Sequence, residues 1–128
     1  MTNTATPEID TTTPEALMQS FAACVHAGDL DRLVALYEPS AVFEPRPGVV
    51  VEGRDAIGGA LAGMLALRPR MEVTPVQVLR ADDIALVVND WAMTGTAPDG
   101  SVVRQGGRSA DVVRRQTDGT WLVLVDKP

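Results

Sequence analysis

Two aspartates in the last quarter of the chain have the residue type and setting for acid–base chemistry. Asp111 stands inside an apolar, β-branched stretch, and Asp126 ends the final apolar run. Because an ionised carboxylate is costly in an apolar strand, the pKa of Asp111 should rise unless a cation compensates its charge. A carboxyl group that keeps its proton can donate a hydrogen bond to a carbonyl or act as a general acid. The alternatives for Asp111 are an ion pair with Arg108 or Arg114 and an outward, solvated position.

The turn between the last two strands decides whether these carboxyl groups meet. If Asp118 and Gly119 form a two-residue hairpin turn, Asp111 lies directly opposite Asp126. Two carboxyl groups at ~5 Å cannot both ionise easily, so one would hold a proton at neutral pH and the two would form an acid–base pair. A three-residue turn with a glycine bulge would shift the register by one and put them on opposite faces. As a lone residue, Asp126 would cap the strand end or pair with Lys127.

Several other polar positions interrupt apolar patterns. Asp90 and Trp91 are adjacent in an apolar strand segment, and since successive strand residues point to opposite faces, only one of them can line a pocket. Tyr37 falls on the apolar stripe of a predicted helix, where its hydroxyl would reach the pocket rim or solvent. His26, the single histidine, stands near a helix end, where a solvated or helix-dipole role is favoured over a pocket base.

Composition argues against several classes of function. The net charge of -6 and the scattered basic residues disfavour binding to nucleic acid or to an anionic membrane, which would need clustered cations. One histidine and one cysteine do not make a metal ligand set, and we expect no metal and no cofactor. Cys24 is expected to be a small buried hydrophobe. Because no apolar run approaches ~20 residues and no signal-peptide pattern is present, a cytoplasmic location is expected.

Helical periodicity in the first half of the chain predicts three helices. Gly28 suits the left-handed residue that follows the first helix, and Asp29 suits the cap of the second. Pro39 should end the second helix. A third helix is expected from about residue 55 to residue 67, where three glycines indicate close packing against another element.

β-Branched residues and turn signals predict a sheet in the second half, with two short strands before it. The expected strands are 41–43, 49–51, 71–79, 84–94, 101–115 and 120–125. Hairpin turns are predicted at 97–100 and 116–119, and Glu44 should stand where the first short strand turns away. Gly106 and Gly107, inside the longest strand, predict a bulge or a bend.

These elements define the expected organisation of the chain. Residues 1–12 have few apolar groups and should form a disordered tail, and residues 13–128 should form one domain. Three helices followed by an antiparallel meander indicate the α+β class, with the helices packed on one face of a strongly curved sheet. Such an arrangement encloses a cone-shaped pocket of the kind that binds small ligands.

Two segments of the sequence resemble a known superfamily. The first is GDLDRLVALY with the strand that ends at Glu44, a Pro-Gly pair and a helix, and the second is the closing run RSADVVRRQTDGTWLVLVDKP. Over nearly everything after residue 13, the chain resembles the NTF2-like superfamily, and within it the ketosteroid isomerase, SnoaL-like and SgcJ/EcaC-type branches. The resemblance implies the cone fold, a homodimer through the outer sheet face and a hydrophobic small-molecule ligand. This fold hosts isomerases, cyclases, hydrolases and inert binding modules alike.

The resemblance to the ketosteroid isomerases allows their three functional residues to be compared with this sequence, and only one of the three is retained. The resemblance places Pro45 where that branch has its aspartate base, with Glu44 one residue earlier. Phe21 falls where the branch has an oxyanion-hole tyrosine, and it has no hydroxyl to donate. The second oxyanion donor of the branch, a protonated aspartic acid, corresponds to Asp111.

A second comparison, with limonene epoxide hydrolases, involves the Asp-Arg-Asp group of those enzymes. Asp126 corresponds by its spacing to the last-strand aspartate, whereas Asp90 and Ala92 fall near the arginine and the other aspartate, so the group is broken. From this comparison we expect Asp90, rather than Trp91, to point inward.

The expected pocket combines apolar, aromatic and charged side chains. Its predicted ligand-binding residues are Phe21, Tyr37, Glu44, Met64, Asp90, Trp91 and Arg108. Glu44 could take over the base role that Pro45 cannot perform, and its alternative is a salt bridge with Arg46 or Arg54.

Two functional hypotheses follow from the sequence. In the first, the chain is a cofactor-independent isomerase, cyclase or hydrolase that acts on a hydrophobic, oxygenated ring compound. Asp111 would then perform acid–base chemistry with help from Asp126 or Asp90. In the second, the chain is a non-catalytic ligand-binding or dimerisation module of the same fold.

Overall fold

A computed structural model describes residues 6–128, which form three helices packed on one face of a six-stranded sheet. The helices are α1 (Pro14–Ala27), α2 (Leu30–Ala35) and α3 (Arg54–Leu65). The strands are β1 (Tyr37–Arg46), β2 (Val49–Glu52), β3 (Arg70–Ala81), β4 (Ile84–Thr96), β5 (Val102–Arg115) and β6 (Trp121–Lys127). In the sheet order β2-β1-β6-β5-β4-β3, only β1 and β6 run parallel. The predicted α+β class with a mainly antiparallel sheet is confirmed.

The helix boundaries follow the capping residues that the sequence indicated. Thr13 Oγ1 accepts a hydrogen bond from the Ala16 amide at the start of α1. Gly28 takes a left-handed φ of 65° at the end of α1, and Asp29 Oδ1 accepts from the Arg32 amide at the start of α2. None of the helices in the described part of the chain is long and apolar enough to cross a membrane.

The second helix is shorter than its apolar spacing predicts. It ends at Ala35, so Tyr37 is the first residue of β1 rather than part of the helix, and Pro39 lies inside that strand. The Val123 amide donates to the Leu36 carbonyl at 2.8 Å, and Tyr37 is in register with Val123. Pairing with β6 therefore overrides the local helical pattern. Glu44 likewise lies within β1 and not at its turn.

The predicted meander is confirmed, but the expected glycine bulge is not. β4 and β5 stay in continuous antiparallel register along their whole length, including the pairs that contain Gly106 and Gly107. A Cβ atom at Gly106 would lie 2.8 Å from the carbonyl oxygen of Trp91. Gly106 is therefore required by a close approach of the neighbouring backbone rather than by an irregular register.

Part of the segment that was predicted to be a tail makes hydrogen bonds to the rest of the chain. Residues 1–5 lie outside the described part of the chain. The Trp121 amide donates to the Thr11 carbonyl at 2.7 Å, and Ser20 Oγ donates to the Asp10 carbonyl at 2.8 Å. The Asp10 amide in turn donates to Ser20 Oγ. These contacts join residues 10 and 11 to α1 and to the start of β6.

Two glycines pack closely against other elements. Of the three α3 glycines that predicted close packing, only Gly58 lies near another element. A Cβ atom there would lie 3.4 Å from Val34 of α2, whereas one at Gly59 or Gly63 would have no neighbour within 4 Å. A Cβ atom at Gly95 of β4 would lie 2.9 Å from Leu67 Cβ and 3.1 Å from the Leu67 carbonyl oxygen. The segment after α3 therefore rests directly on the β4 backbone.

We expect Gly95→Ala to lower the free energy of unfolding by about 1–3 kcal/mol, because the new methyl group overlaps Leu67. Gly59→Ala is the matched control, since a Cβ atom at this position in α3 has no neighbour within 4 Å. The control should raise the free energy of unfolding by about 0.5–1 kcal/mol through helix propensity. Urea unfolding of both variants measures the difference, and equal stabilities would contradict the close approach of Leu67.

Candidate functional site

A cavity of about 800 Å³ lies between the helices and the inner face of the sheet. Most of its wall is apolar, and all four methionines of the described residues belong to it. The apolar lining includes Met18, Phe21, Phe43, Leu61, Met64, Leu67, Met71, Val73, Trp91, Met93 and Val123. Because methionine side chains are unbranched and adaptable, this wall can adjust to the shape of an occupant.

One part of the cavity wall carries a cluster of buried polar side chains. Asp111 of β5 and Asp126 of β6 are paired across the strands, and both line the cavity. Tyr37 donates its hydroxyl hydrogen to Asp126 Oδ2 at 2.5 Å. Asn89 Nδ2 donates to Asp111 Oδ2 at 3.0 Å and to Ser109 Oγ at 3.1 Å. The result is one hydrogen-bonded network that spans β1, β4, β5 and β6.

The cross-strand pairing of Asp111 with Asp126 depends on a β-bulge that offsets the register set by the turn. The β5–β6 hairpin closes through a three-residue turn, with a hydrogen bond from the Gln116 amide to the Thr120 carbonyl and a φ of 86° at Gly119. This turn alone would put the carboxyl groups on opposite faces. The register then shifts by one residue at Leu124, which has no partner on β5. This bulge returns Asp126 to the face of Asp111.

The network keeps a proton on the aspartate pair at neutral pH. Burial, followed by the charge and hydrogen bond of Asp126, raises the pKa of Asp111 to about 9. Burial also raises the pKa of Asp126, while hydrogen bonds from Asp111 and Tyr37 favour its ionised form. The two groups titrate as a unit, and the hydrogen bond between them favours the proton on Asp111. Burial raises the pKa of Tyr37 well above its usual value, so this hydroxyl stays a donor.

Three buried polar atoms in this region have no hydrogen-bond partner among residues 6–128. They are Asn89 Oδ1, Trp91 Nε1 and Asp111 Oδ1. A buried polar atom without a partner costs about 1–3 kcal/mol. The site therefore holds more polar groups than the fold itself satisfies.

The inward orientation expected for Asp90 is wrong. Asp90 and Arg108 form an ion pair of 2.8 Å on the outer face of the sheet, and their side chains are 53% and 65% exposed. Trp91 is the member of the pair that lines the cavity. Asn89 shares its face and is 1% exposed. Strand alternation would have identified Asn89 once Trp91 was placed inward.

Tyr37 and Glu44 do not line the cavity. Tyr37 is fully buried behind Asp126, so its hydroxyl reaches neither the pocket rim nor solvent. Glu44 forms an ion pair of 2.9 Å with Lys127, not with Arg46 or Arg54, so it is removed from any base role. Arg54 instead donates to the Tyr37 carbonyl at 2.6 Å.

The remaining expected positions are distributed as follows. Phe21 and Met64 lie on the cavity wall, and so does Pro45. His26 is exposed, and its Nε2 accepts a hydrogen bond from the Met71 amide at 2.9 Å, which joins α1 to β3. The free Cys24 is buried.

Sequence reasoning missed five polar residues of the cavity. Asn89 and Ser109 belong to the aspartate network, whereas Arg46, Arg104 and Gln105 are exposed residues at the cavity. No local pattern marked these three residues, because only the fold brings them to the cavity. Among the described residues, no group of three or more His, Cys, Asp or Glu side chains is placed to hold a metal ion.

The fold and this cavity define a class of protein, the NTF2-like cone. Within that class the chain belongs to the SnoaL-like domain family, whose model matches residues 18–123. No curated protein matches the sequence.

Solved structures share the fold at low sequence identity. A candidate NTF2-like dehydratase from Streptomyces avermitilis is 20% identical, with a TM-score of 0.76 over 93% of this chain and 95% of that one. A ketosteroid isomerase-like protein from Erwinia carotovora is 17% identical, with a TM-score of 0.78 over 91% and 92%. A candidate calcium/calmodulin-dependent protein kinase II association domain from Xanthomonas campestris is 22% identical, with a TM-score of 0.77 over 99% and 95%.

Proposed function

We propose that the cavity binds a hydrophobic, oxygenated small molecule and that the Asp111–Asp126 pair transfers protons to and from it. The observation that carries this proposal is a cross-strand pair of buried carboxyl groups on the wall of an otherwise apolar cavity, where burial raises the pKa of both. Such a pair costs stability, and perturbed carboxyl groups of this kind are concentrated at functional sites. The unpartnered atoms of Asn89 and Trp91 point to the same conclusion.

The pair can perform the step that isomerisation and aldol cyclisation share. The Asp126 carboxylate removes a proton from the carbon next to a ligand carbonyl, and the C–H electron pair becomes the double bond of an enol. Asp111 donates its proton to the carbonyl oxygen, which receives the π electron pair. The pair therefore starts and ends with one proton, and only the carboxyl group that holds it has changed. An isomerase, a cyclase or, with water as reactant, an epoxide hydrolase can use the same two groups.

This assignment differs from the isomerase arrangement implied by the resemblance. Pro45 occupies the base position on the cavity wall, and Phe21 offers no hydroxyl there. In this chain both proton-transfer roles fall to the β5–β6 hairpin. Tyr37 supports the carboxylate of Asp126 from behind the wall and does not contact the ligand.

Hydrogen exchange of 2-tetralone in D₂O tests the proposed proton transfer without knowledge of the natural ligand. This ketone has an apolar body and acidic protons next to its carbonyl, and ¹H NMR follows their loss. The protein should accelerate exchange above the buffer rate. Native mass spectrometry of freshly purified protein should in parallel show an apolar, oxygen-containing occupant.

A non-catalytic binding module is the second candidate function, and Pro45 at the base position favours it. This candidate predicts that 2-tetralone binds while its exchange stays at the buffer rate. Absence of binding, both of 2-tetralone and of any co-purified molecule, would contradict both candidates.

We also propose that two chains form a homodimer through the outer face of the sheet, which no described element covers. One cross-strand row on this face is apolar over four strands: Leu79, Leu86, Val112 and Val125. Leu79 is 53% exposed and Leu86 is 36% exposed. A second copy of the same face would bury this row, as isologous interfaces do.

Sedimentation of the unmodified chain should give twice the 13.6 kDa chain mass, and Leu86→Asp should give a monomer, because a charge would be buried at the centre of the row. Val102→Asp is the matched control, since Val102 is 62% exposed and lies outside the row. A monomeric unmodified chain, or equal dissociation of both variants, would contradict this interface.

A further inference from the structure

Tyr37 lies behind the cavity wall in a position that its neighbours fix. Its side chain is fully buried and does not line the cavity. The ring packs edge-on against Phe21, with 6.2 Å between the ring centroids, and at a tilt against Phe43, at 6.4 Å. Arg54 of α3 donates to the Tyr37 carbonyl through Nη2 at 2.6 Å and through Nε at 2.9 Å. Contacts with the ring and with the backbone therefore fix the direction in which the hydroxyl points.

The Tyr37 hydroxyl hydrogen bonds to one carboxyl group of the pair and not to the other. It donates to Asp126 Oδ2 at 2.5 Å. The side-chain donors to Asp111 are Asn89 at 3.0 Å and Ser109 at 3.4 Å. A short O–H donor to a carboxylate belongs to the strong, charge-assisted class of hydrogen bonds, whereas the donors to Asp111 are more distant. Tyr37 therefore favours a negative charge on Asp126 rather than on Asp111.

The other charged side chains near Asp126 do not compete with Tyr37. The adjacent Lys127 forms an ion pair with Glu44 at 2.9 Å. Arg46 and Arg104, the two basic residues at the cavity, are exposed. The influences on the pKa of Asp126 are its burial and the hydrogen bonds of Asp111 and Tyr37. Outside the pair itself, the charge on Asp126 thus depends on Tyr37.

We propose that Tyr37 is a positioning residue that assigns the roles within the pair, because its hydrogen bond holds Asp126 as the base and leaves Asp111 as the acid. With Oδ2 of Asp126 occupied by this bond, Oδ1 is the oxygen that takes up the ligand proton. Tyr37 does not line the cavity, so it acts through Asp126 and not on the ligand. This inference rests on the proposed function, since it explains the direction of the same proton transfer.

Tyr37→Phe tests this role, because it keeps the ring and its packing and removes the hydroxyl. In ¹³C NMR at pH 7, the Asp126 Cγ resonance should move toward that of a protonated carboxyl group, and the Asp111 resonance toward that of a carboxylate. The exchange rate at saturating 2-tetralone should fall about tenfold to a hundredfold, the usual effect of losing a hydrogen bond to a charged group. The affinity for 2-tetralone should not change.

The pH profile of the exchange rate supplies a readout that a loss of stability would not move. At low pH the rate should rise as the base ionises. Without the Tyr37 hydroxyl the ionised form of Asp126 is less favoured, so this rise should move to higher pH by about 1–2 units in Tyr37→Phe.

Ser20→Ala is the matched control, since it also removes a buried hydroxyl that donates a hydrogen bond. Ser20 is 3% exposed, its Oγ donates to the Asp10 carbonyl at 2.8 Å, and it does not line the cavity. This variant should leave both aspartate resonances and the position of the low-pH rise as they are in the unmodified protein.

Two outcomes would overturn the inference. If Tyr37→Phe leaves the aspartate resonances and the low-pH rise in place, Tyr37 only packs against the wall, and the proposed function survives. If Tyr37→Phe and Ser20→Ala lower the exchange rate equally at every pH, the effect of Tyr37 is structural. If the proton moves in Tyr37→Phe but the unmodified protein does not accelerate exchange, positioning by Tyr37 is supported and the proposed proton transfer to a ligand fails.

Discussion

Asp126→Asn is expected to slow the protein-catalysed hydrogen exchange of 2-tetralone by about 10²–10⁴-fold, the usual contribution of a positioned acid–base group. Asparagine keeps the shape of the side chain and can still accept from the Tyr37 hydroxyl, but it cannot take up the ligand proton. Asp111→Asn should have a similar effect, because the variant has no acidic proton to donate to the ligand oxygen. The loss should appear in the exchange rate at saturating 2-tetralone and not in its affinity.

Asp90→Asn is the matched control for both variants. It also removes one carboxylate from the central sheet, but Asp90 faces outward in an exposed ion pair with Arg108. Its exchange rate should equal that of the unmodified protein. Full activity in Asp126→Asn, or equal losses in all three variants, would contradict proton transfer by the buried pair.

The free energy of unfolding should fall as the pH rises from about 4 to about 9. In the folded chain the pKa of Asp111 is raised from 3.8 to about 9, so the folded state keeps a proton that the unfolded state releases. The proton on Asp111 therefore stabilises the folded state most below the pKa that Asp111 has in the unfolded chain. This stabilisation is lost as the pH approaches 9. The slope should approach about 1.4 kcal/mol per pH unit near neutral pH, which urea unfolding at several pH values would measure.

The same experiment on Asp111→Asn supplies the control. Asparagine does not titrate, so the variant should show a flatter dependence of stability on pH and exceed the unmodified protein in stability at pH 8.

Ion-paired carboxylates change the stability with pH in the opposite direction. Hydrogen bonds from Arg114, Lys127 and Arg108 lower the pKa values of Glu38, Glu44 and Asp90. Their stabilisation is lost below about pH 4, in both proteins. A stability that rises steadily from pH 5 to pH 9 in the unmodified chain would contradict the raised pKa of Asp111.

Most of the fold could be predicted because its signals are local. Gly28 and Asp29 mark the break between two helices through their backbone and side-chain chemistry alone, and the structure uses both as expected. Hairpin-turn residues and runs of β-branched residues likewise predicted the positions of the four long strands. The helical prediction failed at Tyr37 because pairing with β6 decides the backbone there, and a partner so distant in sequence leaves no local pattern.

The site was predictable in composition but not in geometry. Asp111 could be predicted as a site residue because it is a carboxyl group in an apolar strand. Strand alternation showed that only one of Asp90 and Trp91 could line the pocket. The pairing of Asp111 with Asp126 depends on both the three-residue turn and the bulge at Leu124. No residue type in this segment predicts that bulge.

The protonation of the Asp111–Asp126 pair is the central claim, and ¹³C NMR of the aspartate Cγ resonances tests it most directly. Across a titration from pH 3 to pH 10, one carboxyl group should remain protonated at pH 7 and titrate near 9, because burial and the neighbouring carboxylate hold its proton. That resonance should disappear in Asp111→Asn and persist in Asp90→Asn. If Asp111 and Asp126 both titrate near pH 4, the buried acid–base pair does not exist and the proposed chemistry is wrong.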